Sequence, residues 1–108
     1  MKLLLVDDEP LARQRLAALL REHGDHTLVG EAANGREAVE MAEALGAECV
    51  LMDIAMPVMD GLEAAHHLAG LAAPPAVIFC TAFDQHALAA FEAAAVDYLV
   101  KPVRRERL

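Results

Sequence analysis

Tryptophan is absent from these 108 residues, and one tyrosine and three phenylalanines are the only aromatic side chains. A core must therefore be assembled from Leu, Val, Met and the 23 alanines, whose small side chains favour close packing of helices. Cysteine is nearly as scarce. Cys49 and Cys80 are too few for a disulfide scaffold and show no C-x-x-C spacing. Both fall in apolar runs that read as strands, where a thiol is buried and inert. Cys49 begins one run and Cys80 ends the next, so adjacent parallel strands hold them more than about 10 Å apart, beyond disulfide reach. No apolar run approaches the roughly 18 residues of a membrane span. The opening KLLLV is too short for the core of a secretory signal and meets Asp7, Asp8 and Glu9 at once, so the chain is expected to be cytoplasmic, without membrane contact. Basic residues are few. A net charge of -8 excludes binding to nucleic acid through phosphate contacts, and Arg104, Arg105 and Arg107 form the one basic cluster. P-loop, G-x-G-x-x-G, G-x-S-x-G and H-E-x-x-H patterns are all missing.

What is present is an alternation of short apolar runs with longer helical patterns, in a length that suits one domain. Lys2–Val6 reads as a strand covered on both faces. Pro10 opens a helix to about His23, with Ala12, Leu16, Leu19 and Leu20 inward and Arg13, Arg15 and Arg21 outward. His26–Gly30 is a second strand. Asn34 caps a helix over Arg36–Leu45, and Gly46 stops it. Cys49–Met52 is the third strand. A helix over Leu62–Ala73 is broken by Pro74 and Pro75. Ala76–Cys80, a helix over Gln85–Ala95 and the strand Asp97–Val100 follow. A last helix begins at Val103, with only Val103–Leu108 to form it. Such βαβ units predict a doubly wound α/β fold: a five-stranded parallel sheet of order 2-1-3-4-5, flavodoxin-like, with its fifth helix truncated.

In an open α/β sheet, ligands bind beyond the carboxyl ends of the strands. The residues there are Asp7 and Asp8 after the first strand, Asp53 after the third, Thr81 after the fourth and Lys101 after the fifth. Taken singly each has a bland explanation: a helix cap, a strand terminator, a loop hydroxyl, a solvated charge. Together they are another matter. Strands one and three are neighbours in this order, so three carboxylates converge, and at about 4 Å and a dielectric of about 20 each pair repels by roughly 4 kcal/mol. A compensating cation is implied, and oxygen-only ligands favour Mg²⁺. His66 and His67, with Glu63, read instead as a solvated helix face, since no second E-x-x-H copy accompanies them.

D-D-E-P at Asp7–Pro10, V-L-M-D ending at Asp53, M-P-x-M-D-G at Met56–Gly61, T-A at Thr81-Ala82 and K-P at Lys101-Pro102 together resemble the response-regulator receiver domain of two-component signalling. The resemblance covers residues 1–108 in order. T-A-F-D-Q-H-A-L-A-A-F and A-V-D-Y-L-V-K-P further resemble receivers of the LytR/AlgR type, which carry a C-terminal LytTR DNA-binding domain. That effector domain is not in this sequence, which therefore reads as a fragment of a longer regulator.

The resemblance implies a phosphoacceptor signalling domain rather than an enzyme. Asp53 would accept a phosphoryl group from a phosphohistidine on a sensor histidine kinase. Asp8 and Asp53 would bind Mg²⁺ directly, Asp7 mainly through water, and the backbone carbonyl of Ala55 would be a further ligand. Lys101 and Thr81 would contact the transferred group, and Thr81 with Tyr98 would form the switch. The switched surface would be the fourth helix, fifth strand and fifth helix, through which a homodimer forms, with DNA reached only through the absent domain. A phosphorylation-independent interaction module is the alternative. An aspartyl phosphatase of the haloacid dehalogenase type fits less well, since its nucleophile follows the first strand in a D-x-D pattern. An FMN-binding flavodoxin would need backbone donors where this first loop is acidic.

Overall fold

A computed structural model describes residues 1–22, 24, 26–54, 56–81 and 97–100, with Thr81 and residues 97–100 described as backbone. Its organisation follows from the two-residue period of strands. In β1 (Lys2–Val6), Leu4 and Val6 enter one core while Leu3 and Leu5 enter another on the opposite face. β3 (Cys49–Met52) divides the same way, Val50 and Met52 to the first core, Cys49 and Leu51 to the second. β4 (Ala76–Thr81) sends Val77 and the fully buried Phe79 to the first. A strand buried on both faces needs apolar residues at every position, which is why these runs are continuous rather than alternating.

The helices cover the two faces. α1 (Pro10–Arg21) closes the second core with Leu16, Ala17 and Leu20. α2 (Gly35–Leu45) and α3 (Gly61–Ala69) close the first with Ala38, Ala42, Ala64, Ala65 and Leu68. The alanine-rich composition thus has a structural use, since four of those five contact residues are alanines. The caps of α2 agree with the sequence: Asn34 accepts from the Glu37 amide at 2.9 Å and Gly46 ends the helix at φ 65°, while Asp60, not named as a cap from the sequence, accepts from the Glu63 amide at 2.8 Å.

The strands are parallel, in the order β2-β1-β3-β4, with the backbone of β5 (Asp97–Val100) alongside β4. Three predicted boundaries move by two residues or more. β2 runs Thr27–Ala32 rather than stopping at Gly30, because a register shift between Leu3 and Leu4 lets pairing continue until Val6 meets Ala32. α3 ends at Ala69 rather than Ala73. Gly70 caps it, its last turn tightens through the Gly70 and Leu71 amides, and Leu71 packs on the first core. α1 ends at Arg21, and His23 lies outside the described residues, as do the predicted helices over Gln85–Ala95 and Val103–Leu108. Both cysteines are buried, and neither forms a disulfide. Cys49 is level with Ala76, four residues before Cys80, as their predicted separation requires.

Candidate functional site

Val6 and Met52 are partners in the β1–β3 register, so Asp7 and Asp53 leave the sheet side by side. The Asp53 amide donates to the Val6 carbonyl at 2.9 Å, and the Asp7 amide to Ala32 at 3.1 Å, extending the pairing to the edge where the carboxylates begin. One oxygen from each of Asp7, Asp8 and Asp53 lies within 4.8 Å of the others. Asp7 is fully buried, Asp53 partly exposed and Asp8 exposed. Asp53 is thus open to a reagent while Asp7 beside it is sealed.

Local hydrogen bonds aim these side chains. Asp7 Oδ1 accepts the Glu9 amide at 3.0 Å, and Asp53 Oδ1 accepts the Ile54 amide at 2.8 Å. The loop after Asp53 turns through Pro57, Val58 and Met59, where the Met59 amide donates to the Pro57 carbonyl at 2.7 Å and Val58 takes φ 69°. That is a γ-turn of the strained, positive-φ kind. The loop then doubles back, so that the Gly61 amide donates to the Ile54 carbonyl at 2.7 Å and the Gly35 amide to Met59 at 2.9 Å.

The donor set tests the cation. Three carboxylates with no imidazole or thiolate beside them suit a hard, oxygen-seeking ion rather than zinc. A spread of up to 4.8 Å suits an ion that keeps part of its water, as Mg²⁺ does. At that distance and a dielectric of about 20, two ionised carboxylates repel by roughly 3–4 kcal/mol, less for the exposed Asp8.

Thr81 ends β4 one register level beyond Asp53, and Tyr98 on β5 pairs with Phe79, both as backbone positions. Ala55 and Lys101 lie outside the described residues. The structure adds residues that the sequence reading passed over. Arg13 does not face solvent as its helical spacing predicts. Its side chain is only 20% exposed and turns back to the Asp7 carbonyl and to Glu31. The signal was its place in the first turn after Pro10, next to the strand ends. Gly35 and Gly61 were given no packing role from the sequence, yet each lies against backbone of the segment from Asp53 to Asp60.

Comparison with known proteins agrees with this geometry. The family model described as the response regulator receiver domain matches residues 3–108. The positive alginate biosynthesis regulatory protein of Pseudomonas aeruginosa is 54% identical over 100% of this chain and 44% of its own length. The transcriptional regulatory protein BtsR of Escherichia coli K12 is 43% identical over 99% of the chain and 44% of its own. The chain thus spans less than half of these curated relatives. Among structures, the response regulatory domain of mrkE from Klebsiella pneumoniae matches with a TM-score of 0.89 and 34% identity, over 99% of this chain and 88% of that one. The receiver domain of the sensor histidine kinase PA1611 from P. aeruginosa has a TM-score of 0.87 and 30% identity, over 98% and 88%. It was crystallised with magnesium coordinated in its active-site cleft.

Proposed function

This chain belongs to the response regulator receiver family, and from that premise we propose that it is a phosphoacceptor domain in which Asp53 takes a phosphoryl group from a sensor histidine kinase. The observation that carries this is the convergence of Asp7, Asp8 and a partly exposed Asp53 at one sheet edge. An Asp53 carboxylate oxygen attacks phosphorus. A P–O bond forms, the P–N bond to the kinase histidine breaks, and the imidazole nitrogen keeps the electron pair. The product is an acyl phosphate.

Phosphoryl transfer asks a protein mainly for position and charge compensation. When bound, Mg²⁺ supplies charge neutralisation for the transferring oxygens. Asp8, Asp53 and the Ala55 carbonyl would hold it directly, and Asp7 would act mainly through water. The Ile54 amide, bound to Asp53 Oδ1, helps orient the carboxylate for attack. Lys101 compensates charge on the transferred group and Thr81 donates a hydroxyl to it. The same hydroxyl, with Tyr98, couples phosphorylation to the surface of the fourth helix, β5 and fifth helix, where a homodimer forms. Residues 1–108 act as one cytoplasmic receiver domain, its five-stranded sheet completed by β5. Its output passes to a DNA-binding domain of LytTR type in a longer regulator. The similarity to two transcriptional regulators supports that output.

Mass spectrometry after treatment with acetyl phosphate and Mg²⁺ tests the reading. One phosphoryl group is gained by the native chain and none by Asp53→Asn. Thr81→Ala is still phosphorylated but no longer changes its self-association. A native chain that gains nothing, while folded and Mg²⁺-saturated, would make it a phosphorylation-independent interaction module instead.

A further inference from the structure

We infer that Arg13 is a positioning residue for the loop that carries Asp7 and Asp8, clamping α1 to the ends of β1 and β2. The inference rests on the Mg²⁺-dependent reading above.

The loop lacks the usual fastening. Glu9, at the N-cap of α1, makes no side-chain cap hydrogen bond. The Arg13 guanidinium fastens the loop in a different way, by donating to a loop carbonyl instead of accepting from the helix amides. Its Nη1 donates to the Asp7 carbonyl at 2.5 Å, and its Nε lies 3.4 Å from Glu31 Oε1. The Asp7 carbonyl belongs to the peptide that joins the two carboxylate residues, so holding it fixes the plane about which Asp8 swings relative to Asp7. The Asp7 side chain is held from the other direction by the Glu9 amide. A planar guanidinium can serve two acceptors at fixed angles, which a lysine ammonium on a flexible stem does less well.

The pairing with Glu31 explains how a cation is tolerated beside a metal site. Glu31 is on β2, next to Ala32, whose carbonyl receives the Asp7 amide, so the clamp joins three elements at the rim of the site. Its carboxylate compensates the guanidinium charge. The Arg13 side chain is 20% exposed, against 71% for Arg36 in the surface pair Arg36–Glu40. The clamp is therefore less screened and less mobile than an ordinary surface pair.

Charge and position make opposite predictions, which allows a decision. Coulomb repulsion alone says that removing Arg13 tightens Mg²⁺ binding. Loss of the clamp says that it weakens. Residues that hold metal ligands in place are typically worth about 10- to 100-fold in metal affinity.

The test is calorimetric titration of Mg²⁺ into the metal-free native chain, Arg13→Ala, Arg13→Lys and Leu16→Val. Amide hydrogen exchange at Glu9 is followed alongside, without metal. Arg13→Ala is expected to weaken Mg²⁺ binding about tenfold, equal to about 1.4 kcal/mol, and to speed exchange at Glu9. Arg13→Lys keeps the charge, so its expected intermediate loss reports geometry alone, and it decides the matter if Arg13→Ala does not fold. Leu16→Val loosens the packing of α1 away from the loop and is expected to leave Mg²⁺ affinity unchanged. Arg13 variants that bind Mg²⁺ as tightly as the native chain or tighter would overturn the positioning role and leave the phosphoacceptor reading intact. So would an equal loss in Leu16→Val. A native chain that binds no Mg²⁺ would overturn both.

Discussion

Gly61 lies so close to Asp53 that a methyl group added at Gly61 would collide with the Asp53 carbonyl oxygen. The first turn of α3 is thereby packed directly onto the backbone of Asp53, and the Gly61 amide ties it there through Ile54. A side chain cannot enter without moving one of two backbones, neither of which is a flexible tip. Gly61→Ala is expected to lower stability by about 2–3 kcal/mol, as overpacking does. It should also weaken Mg²⁺ binding, because relief comes by shifting Asp53. Urea unfolding and a Mg²⁺ titration check both parts. An alanine variant with native stability would mean that this contact is looser than described.

The loop between them stores strain. Val58 is a β-branched residue at φ 69° with 76% of its surface exposed, so it tolerates an unfavourable backbone without packing in return. Such conformations cost about 1–3 kcal/mol, while glycine loses about 0.5–1 kcal/mol through its freer unfolded chain. Val58→Gly is therefore expected to stabilise the protein by about 1 kcal/mol, seen as a higher urea midpoint with an unchanged slope. A lower midpoint would show that the turn is not strained.

Three carboxylates held within 4.8 Å destabilise the metal-free fold. Asp53→Asn keeps an oxygen for the Ile54 amide and removes one charge. Allowing for solvent near the exposed Asp8, it should raise metal-free stability by about 1 kcal/mol or more, less at high salt. Added Mg²⁺ should raise the Tm of the native chain and leave that of Asp53→Asn nearly unmoved. Equal metal stabilisation of the two would place the cation elsewhere.

Burial pushes the Cys49 thiol above its ordinary value of 9.0, only partly offset by a hydrogen bond with the Val50 backbone. Above that value the unfolded chain loses the thiol proton first and the native state retains it, so stability falls as pH rises from about 9. Cys49→Ala should show a shallower fall between about pH 8 and pH 10 than the native chain. The thiol should also resist alkylation until denaturant is added. Parallel pH profiles for the two proteins would remove Cys49 from the alkaline response.

Much of this molecule was determined locally, and those parts are legible in the residues. Continuous apolar runs at Lys2–Val6 and Cys49–Met52 can be satisfied only between two layers of helices, and Asn34 and Gly46 carry their capping chemistry in their own side chains or lack of one. The carboxylates of Asp7, Asp8 and Asp53 were legible as strand-end groups for the same reason. Their convergence needed one further step, the adjacency of β1 and β3, which the doubly wound strand order supplies. Tertiary structure alone decided the rest. Helical spacing turns Arg13 outward, but a long side chain in the first turn can reach back over the strand ends, and only the position of Glu31 on β2 makes that return favourable. The extension of β2 to Ala32 depends on a register shift against β1, and the early end of α3 on a place in the core for Leu71. Gly35 and Gly61 look like any turn glycine until Met59 and Asp53 are set against them, because close approach is a property of two segments and no single segment encodes it.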